Sequence, residues 1–263
     1  MAETEPDWRL GRDIDGLPVV RYQRGEREGR PWASLLEVLA PGAPGVGEAV
    51  STVDPVEFVL SDMSGWIVSG SVDFGERLLR RGARTLRLGH TMLRDLAGDP
   101  PPAGWADWAR TPLRDGYRSV PCDRDAGELA PALDAAFGPG HPDHRPDRDE
   151  QSRQEELRDL LAGRVVGPVL PSSALIVDAT DQVVAGAVVT DFDGTPWIAH
   201  VFRHPGLGYP GLGRDVMRRV MADLADRGNP GMGLAVTEGN SARRLYESLG
   251  FRFTRSTLTV VVP

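Results

Sequence analysis

The chain has 263 residues, 40% of them hydrophobic and 26% charged, with a formal net charge of −8. That size buries a core in one large domain or two modest ones, and the composition is that of a globular protein rather than a disordered or fibrous one. The acidic balance argues against nucleic acid as the main partner, and no apolar run reaches the roughly 20 residues of a membrane-spanning helix.

The first thirty residues are polar and charged. Their start, MAETEPDW, has no secretory signal pattern, which points to a cytoplasmic protein. Strands are predicted at Leu17–Tyr22 and Trp32–Leu39, followed by a turn-rich connector, Pro41–Gly47. Val56–Leu60 and Trp66–Val72 read as two further strands around the turn Ser61–Gly65. A helix over Phe74–Arg81 is ended by Gly82, and a strand follows at Thr85–Met92. From Asp99 to Asp115 the chain is a proline-rich linker with two tryptophans to dock it. The expected domains are residues 1–115, linker included, and 116–263.

The second domain opens with a strand, Tyr117–Pro121, and a helix, Asp123–Phe137, started by Asp123 or Asp125. A loop, Gly138–Arg148, leads to a charged helix, Glu150–Ala162, whose carboxylates pair with Arg153 and Arg158. Ala174–Asp178 and Val183–Thr190 form a hairpin turned at Thr180–Gln182. Trp197–Phe202 is a buried strand. Its Gly/Pro loop, His204 to Gly213, feeds a helix with Val216, Met217, Val220, Met221 and Leu224 at helical spacing and Gly228 at its end. Met232–Val236 is a strand, Asn240 opens a helix stopped by Gly250, and Arg252–Arg255 and Thr257–Val262 are the last two strands.

The unit helix–Gly–strand occurs twice. Aligning Gly82 with Gly250 sets Leu78 opposite Tyr246 and Val72 opposite Asn240. One reading is an ancient repeat whose first copy has lost its polar positions. The other is that any helix–Gly–strand unit looks alike at this length.

A strand entering a glycine-rich turn and then a helix makes an anion site, because the first-turn N–H groups point into the loop and glycines admit a phosphate closely. Gly211-Leu212-Gly213 has that form, and it is followed at a fixed distance by Asn240-Ser241-Ala242-Arg243-Arg244-Leu245-Tyr246 and Gly250-Phe251. These residues together resemble the acetyl-CoA-binding half of the GNAT acetyltransferase superfamily. In that family an Arg/Gln-x-x-Gly-x-Gly/Ala loop holds the cofactor pyrophosphate, and an Asn…Tyr helix lies beside the acyl thioester. The chain departs from the pattern at Gly208, where Arg or Gln is usual, and at Tyr209; Arg203 and Arg214 are the cations available to substitute.

The resemblance implies an α/β (α+β mixed-sheet) GNAT-type acyl-CoA-binding fold over Tyr117–Pro263, preceded by a smaller degenerate GNAT-like domain. It further implies acetyl-CoA as co-substrate and transfer of acetyl to a primary amine by direct attack in a ternary complex. Cofactor contacts fall on Val201, Phe202, Arg203, Gly208, Gly211, Leu212, Gly213, Arg214, Asn240, Ala242 and Tyr246, with N–H groups of Leu212 and Arg214 added to the glycine cradle. Tyr246, a phenol with a reference pKa near ~10, is the candidate donor of a proton to the departing thiolate. His200, on the strand that presents the acetyl group, is the candidate base, against the alternative of a satisfied core histidine.

Other residues carry weaker chemistry. Asp191 and Asp193 can bind an amine through water or simply close a turn around Gly194. His141-Pro142-Asp143-His144 has ligand-like spacing, but its prolines forbid a helix and no further ligands are near, so a solvated loop is expected and no metal. Cys122, the single cysteine, has no base beside it in sequence and reads as a small packed residue. All 30 basic residues are arginine, which excludes lysine Schiff-base chemistry. The rival reading is a non-catalytic acyl-CoA sensor signalling through the first domain. Transfer of a longer acyl chain is a third. The first domain would otherwise shape the acceptor site or a homodimer contact.

Overall fold

The computed structural model describes residues 8–42, 49–100, 104–146 and 148–263. The expected connector Pro41–Gly47 and the Pro101–Ala103 part of the linker lie mostly or wholly outside them. Packing divides the chain into two compact units, residues 1–90 with 255–263, and residues 91–254. This division follows contacts, whereas the expected boundary at 115/116 followed chain order.

The first unit contains strands β1 (Trp8–Arg12), β2 (Pro18–Arg27) and β3 (Arg30–Val38), then α1 (Pro55–Asp62), β4 (Ile67–Gly70), α2 (Val72–Arg80) and the start of β5 (Arg84–Asp95). β1, β2 and β3 form an antiparallel meander, and β4 joins β3 in parallel. Val56–Leu60, expected as a strand, is helical. Asp54 accepts from the Val56 N–H at 2.7 Å, and Pro55 occupies the first turn, where its missing N–H costs nothing. Four apolar residues around one glutamate do not themselves distinguish helix from strand, and here the Asp-Pro start decides. Ser71 caps α2, which buries Phe74 and Leu78.

The second unit contains the end of β5, then α3 (Trp105–Arg110), β6 (Arg118–Pro121), α4 (Ala126–Ala136), α5 (Glu150–Leu161), β7 (Ala174–Val177), β8 (Val183–Phe192), β9 (Thr195–Arg203), α6 (Leu212–Asp226), β10 (Gly231–Thr237), α7 (Ala242–Ser248) and the start of β11 (Arg252–Val261). The two strands expected over 252–262 are one. A polar Ser256 with no Gly or Pro beside it does not break a strand, and its hydroxyl meets His90 Nδ1 at 2.9 Å. The later part of β11 pairs antiparallel with β4 in the first unit.

Strand order in the second unit is β5-β10-β9-β8-β7-β6. All recorded pairings from β9 to β6 are antiparallel, while β9 and β10 are parallel. α4 and α5 bury Leu129, Leu133, Leu157 and Leu160 with Val188 and Phe202 on one face of these strands. α6 and α7 bury Val216, Met217, Met221 and Tyr246 with Ile198 and Leu234 on the other. Asp125, with Glu128 reciprocating, makes a capping box at the start of α4. α5 is tied down by Arg153, whose partner is Asp134 on α4 at 2.8 Å rather than a neighbour on its own helix.

The expected linker is partly helical. α3 docks through its tryptophans: Trp105 and Trp108 meet edge to face at 5.0 Å, and the guanidinium of Arg218 on α6 lies 5.2 Å from the Trp108 ring centre. Among the described residues no helix is long and apolar enough to cross a membrane, and no group of three or more His, Cys, Asp or Glu is placed to hold a metal.

Candidate active site

The site forms where β9 and β10 separate. Their ladder covers only Trp197↔Gly233 and Ile198↔Leu234, after which β9 continues to Arg203 and β10 to Thr237. On its other edge β9 pairs Val188 with His200 and Val189 with Ile198, so Ala199 is an extra, bulged residue. A bulge at this point re-aims the side chains beyond it. Phe202 faces the α4 and α5 core, and His200 shares that face, its ring 5.9 Å from Phe137 at the end of α4. Val201 packs on the α6 side.

The loop after β9 is braced from within. Arg203 Nη1 donates to the carbonyl of Gly208 at 2.7 Å and reaches those of His204 and Pro205 at 3.4 and 3.3 Å. His204 Nδ1 accepts the N–H groups of Gly206 and Leu207, both at 3.1 Å. Gly208 is the departure from the family pattern, and its surroundings explain it. A Cβ there would lie 2.7 Å from the Arg203 side chain and 3.2 Å from both the His204 carbonyl and Leu212. The arginine stem occupies the space a longer residue at 208 would need.

Gly211 caps α6 in the left-handed region, φ 99°, which glycine adopts without strain. The N–H of Leu212 bonds to the Tyr209 carbonyl, and those of Arg214 and Asp215 to the Gly211 carbonyl. Leu212 and Arg214 therefore spend their N–H groups inside the turn, contrary to the expectation that they would add to the cradle. Among the described residues, the N–H groups of Gly211 and Gly213 have no protein acceptor. Apart from the adjoining backbone, nothing lies within 4 Å of where a Cβ on either glycine would sit. Arg214 is exposed, at 3.5 Å from Ser248 Oγ, and is the cation nearest this opening in sequence. Tyr209, in place of the usual glycine, braces the flank. Its hydroxyl donates to Asp215 at 2.7 Å, its ring meets Tyr117 at 5.2 Å, and Arg114 lies 4.4 Å from its centre.

At the end of β10 the chain turns, with the Asn240 N–H bonded to the Thr237 carbonyl at 3.0 Å. Asn240 Oδ1 accepts from the Ala242 N–H at 2.9 Å, satisfying one orphan donor of α7, and its Nδ2 donates to Asp143 at 3.2 Å. The Thr237 hydroxyl bonds to the other oxygen of the same carboxylate. Asp143 is the residue that sequence reasoning missed. It belongs to the loop between α4 and α5, and it reaches Asn240 across 97 positions. The only sequence signal was the polar tetrad 141–144, which reads as solvated.

Tyr246 is buried in the α6 core, its ring 5.9 Å from Phe251. Burial, and then the negative charge of Asp143, raise its phenol above the ordinary value, so it stays protonated at neutral pH. His200 moves the other way. Burial, opposed by the Asp143 charge and aided by Arg145, lowers it to about 4. At neutral pH it is an unprotonated imidazole. The two candidate catalytic residues thus lie on opposite faces of the strand layer, and the Asp143 charge acts on both.

The remaining candidates resolve into structure. Asp191 accepts from the Gly194 N–H at 2.8 Å and closes the β8–β9 turn, with Asp193 at φ 49°. His144 Nδ1 lies 3.0 Å from the Phe137 carbonyl, and His141 packs edge to face on Phe137. Cys122 is half-buried, and desolvation pushes its thiol up to about 11, away from nucleophilic use.

Residues 180–260 match the family model described as FR47-like protein. No curated protein sequence matches the chain. Among solved structures, a GCN5-related N-acetyltransferase from Sphaerobacter thermophilus is similar over 98% of this chain and 81% of its own, at 17% identity and TM-score 0.63. A tandem GNAT protein from the clavulanic acid biosynthesis pathway is similar over 94% and 80%, at 13% identity and TM-score 0.60. A GCN5-related N-acetyltransferase from Kribbella flavida is similar over 94% and 88%, at 15% identity and TM-score 0.52. At these identities the likeness is one of architecture: the chain has the GNAT superfamily fold.

Proposed function

We propose that the second unit is an acyl-CoA-dependent N-acyltransferase, with acetyl-CoA as the acyl donor and a primary amine as the acceptor, reacting by direct attack in a ternary complex. The observation that carries this reading is the coupling of two features. Unpaired N–H groups at Gly211 and Gly213 open at the start of α6, and β9 and β10 part beside the Asn240–Tyr246 turn and helix. The first suits a pyrophosphate, and the second admits a narrow thioester arm between strands.

In this reading Arg203 and Gly208 build the loop rather than touch the cofactor, and Arg214 supplies the cation. Backbone groups of Val201 and Phe202 face the acyl arm, and Asn240 and Ala242 bound its far side. The amine loses a proton towards His200 and attacks the thioester carbonyl carbon. A C–N bond forms as the C–S bond breaks, the Tyr246 hydroxyl protonates the departing thiolate, and the proton still held in excess by the new amide nitrogen passes to the phenolate so formed. The first unit is a degenerate GNAT-like half without a second cofactor site.

The rival reading, a non-catalytic acyl-CoA sensor, draws support from one observation: Arg203 spends Nη1 on loop carbonyls, leaving the pyrophosphate loop short of side-chain cations. Steady-state release of free thiol from acetyl-CoA, across a panel of primary amines, decides between them. Turnover with any amine supports the transferase. Binding of acetyl-CoA without thiol release by any amine supports the sensor.

A further inference from the structure

We propose that Asp143 is a positioning residue of this acyl-transfer site, fixing the Asn240 amide and lending its charge to His200 as the acceptor's proton is taken. The inference rests on the transferase reading of the site. It begins with three side chains from two separate segments. Asp143 accepts from the Thr237 hydroxyl with one oxygen and from Asn240 Nδ2, at 3.2 Å, with the other. Because Asn240 Oδ1 is already committed to the Ala242 N–H at 2.9 Å, the amide has one orientation only. One N–H of that amide points at the carboxylate, and the second is left for the acyl arm. Without Asp143 the Asn240 carbonyl would still cap α7, but nothing on the loop side would hold its NH₂ group.

The same contact closes the α4–α5 loop against the end of β10. The loop side of the carboxylate is itself supported. The Asp143 N–H donates to His141 Nδ1 at 3.1 Å, and His141 packs on Phe137, whose ring also meets His200. Phe137 thereby links the loop to β9, while Asp143 links it to β10. A charge in partly buried surroundings acts at longer range than in water.

The charged and titratable groups around His200 decide what that charge does. The α4–α5 loop contributes Asp143 and Arg145, and its His141 meets Phe137, the ring beside His200; Asp134 on α4 is committed to Arg153. Burial and Arg145 disfavour the imidazolium, and Asp143 favours it. When a cationic acceptor, R–NH₃⁺, gives a proton to His200, positive charge moves from the amine to the ring. Asp143 stabilises both ends of that transfer, which selects for amines that arrive protonated.

The test uses the full chain with Asp143→Asn, which keeps shape and one acceptor oxygen for the Asn240 amide, turns its NH₂ to the Thr237 hydroxyl and removes the charge, and Asp143→Ala, which removes both shape and charge. With acetyl-CoA and the best amine from the panel, Asp143→Asn should lower kcat about 10-fold to 100-fold while leaving KM for acetyl-CoA within about threefold. The acid limb of its pH–rate profile should move to lower pH. Asp143→Ala should also raise KM for acetyl-CoA, because Asn240 is released. An NMR titration of the His200 ring in the unliganded protein gives a reading independent of turnover. Loss of the Asp143 charge should move that titration to lower pH. An unmoved His200 titration in folded Asp143→Asn, or unchanged kcat, overturns the proposal while the transferase stands. Wild-type protein that releases no thiol with any amine overturns the transferase reading, and with it a catalytic purpose for Asp143.

Discussion

Two helices in this molecule end in the same way and are used differently. α2 ends at Arg80 and α7 at Ser248, and each is followed by a glycine in the left-handed region, Gly82 at φ 98° and Gly250 at φ 84°, and then by a long strand. α2 starts from Ser71 and places Val72 and Leu78 where α7 has Asn240 just before its start and Tyr246 within it. Leu78 is wholly buried, so its helix face is spent on the core. Asn240 and Tyr246 divide the work: Tyr246 packs with its ring and keeps a hydroxyl, and Asn240 caps and reaches Asp143. The scaffold is set by the helix, the glycine and the strand. On the proposed reading, chemistry enters only where two positions exchange apolar groups for polar ones and a neighbouring loop supplies N–H groups.

If that contrast is functional, ligand binding should be confined to the second unit. Gly213→Glu places a negative side chain in open space at the mouth of the loop, at a position with ordinary backbone geometry. Calorimetry should find CoA binding abolished in this folded variant, and one site per chain in the wild type. Two equivalent sites per chain would make the contrast between the units meaningless. Gly211→Glu should bind no better, with added strain at its φ of 99°.

A smaller effect is expected at Tyr246. Tyr246→Phe keeps the ring that packs near Phe251 and removes only the hydroxyl, so kcat should fall roughly 10-fold to 1000-fold with cofactor affinity little changed. Loss of affinity with kcat intact would assign the hydroxyl to binding. Leu78→Met, at the matching position, should leave turnover unaltered.

The two glycines also separate on stability. A Cβ at Gly82 meets nothing within 4 Å, so Gly82→Ala costs only left-handed strain, about 1–2 kcal/mol. A Cβ at Gly250 would lie 2.8 Å from Arg94 Nε, in a guanidinium that is itself buried and bonded to Asp95 and Asp99. Gly250→Ala should cost more than Gly82→Ala, by about 1–3 kcal/mol in denaturant titrations, since overpacking adds to strain. Equal losses would mean that Arg94 moves aside freely.

The smallest effect is a pH slope. His200 is lowered in the folded protein from 6.5 to about 4, so between those values the unfolded chain binds the extra proton and stability rises with pH. Its contribution is present above about pH 6.5 and fades as pH falls towards 4. His200→Gln should flatten this part of the stability profile by on the order of 1–2 kcal/mol, since the ring keeps some solvent. A profile of unchanged slope would place His200 in water.

How much of this was legible follows from the range of the forces involved. α6 was readable because its stripe of Val216, Met217, Val220, Met221 and Leu224 is a local pattern, and all five are buried. α1 was misread because the same apolar residues suit either element, and β1 was missed because Trp8–Arg12 has only one buried residue. β11 was cut in two at a polar residue that its neighbours satisfy. The glycines of the cradle were visible as glycines, but which N–H groups they leave open depends on turn bonds that composition does not specify. Asp143 was invisible for a plainer reason. Its meaning lies in a contact with Asn240 that only the closed fold creates.

The loop between β9 and α6 has a consequence for the speed and cost of recognition. A loop that ordered only on contact would lose about 0.5–1.5 kcal/mol for each immobilised side chain at the moment of binding. Here Arg203 and His204 have already gathered the carbonyls and N–H groups of residues 204–208, so that disorder is given up when the chain folds. On the proposed reading, an arriving pyrophosphate would meet a finished mould. Affinity that a missing cation would have supplied is recovered in part as entropy not lost, and weakening the mould by Arg203→Met should show first as slower association rather than faster release.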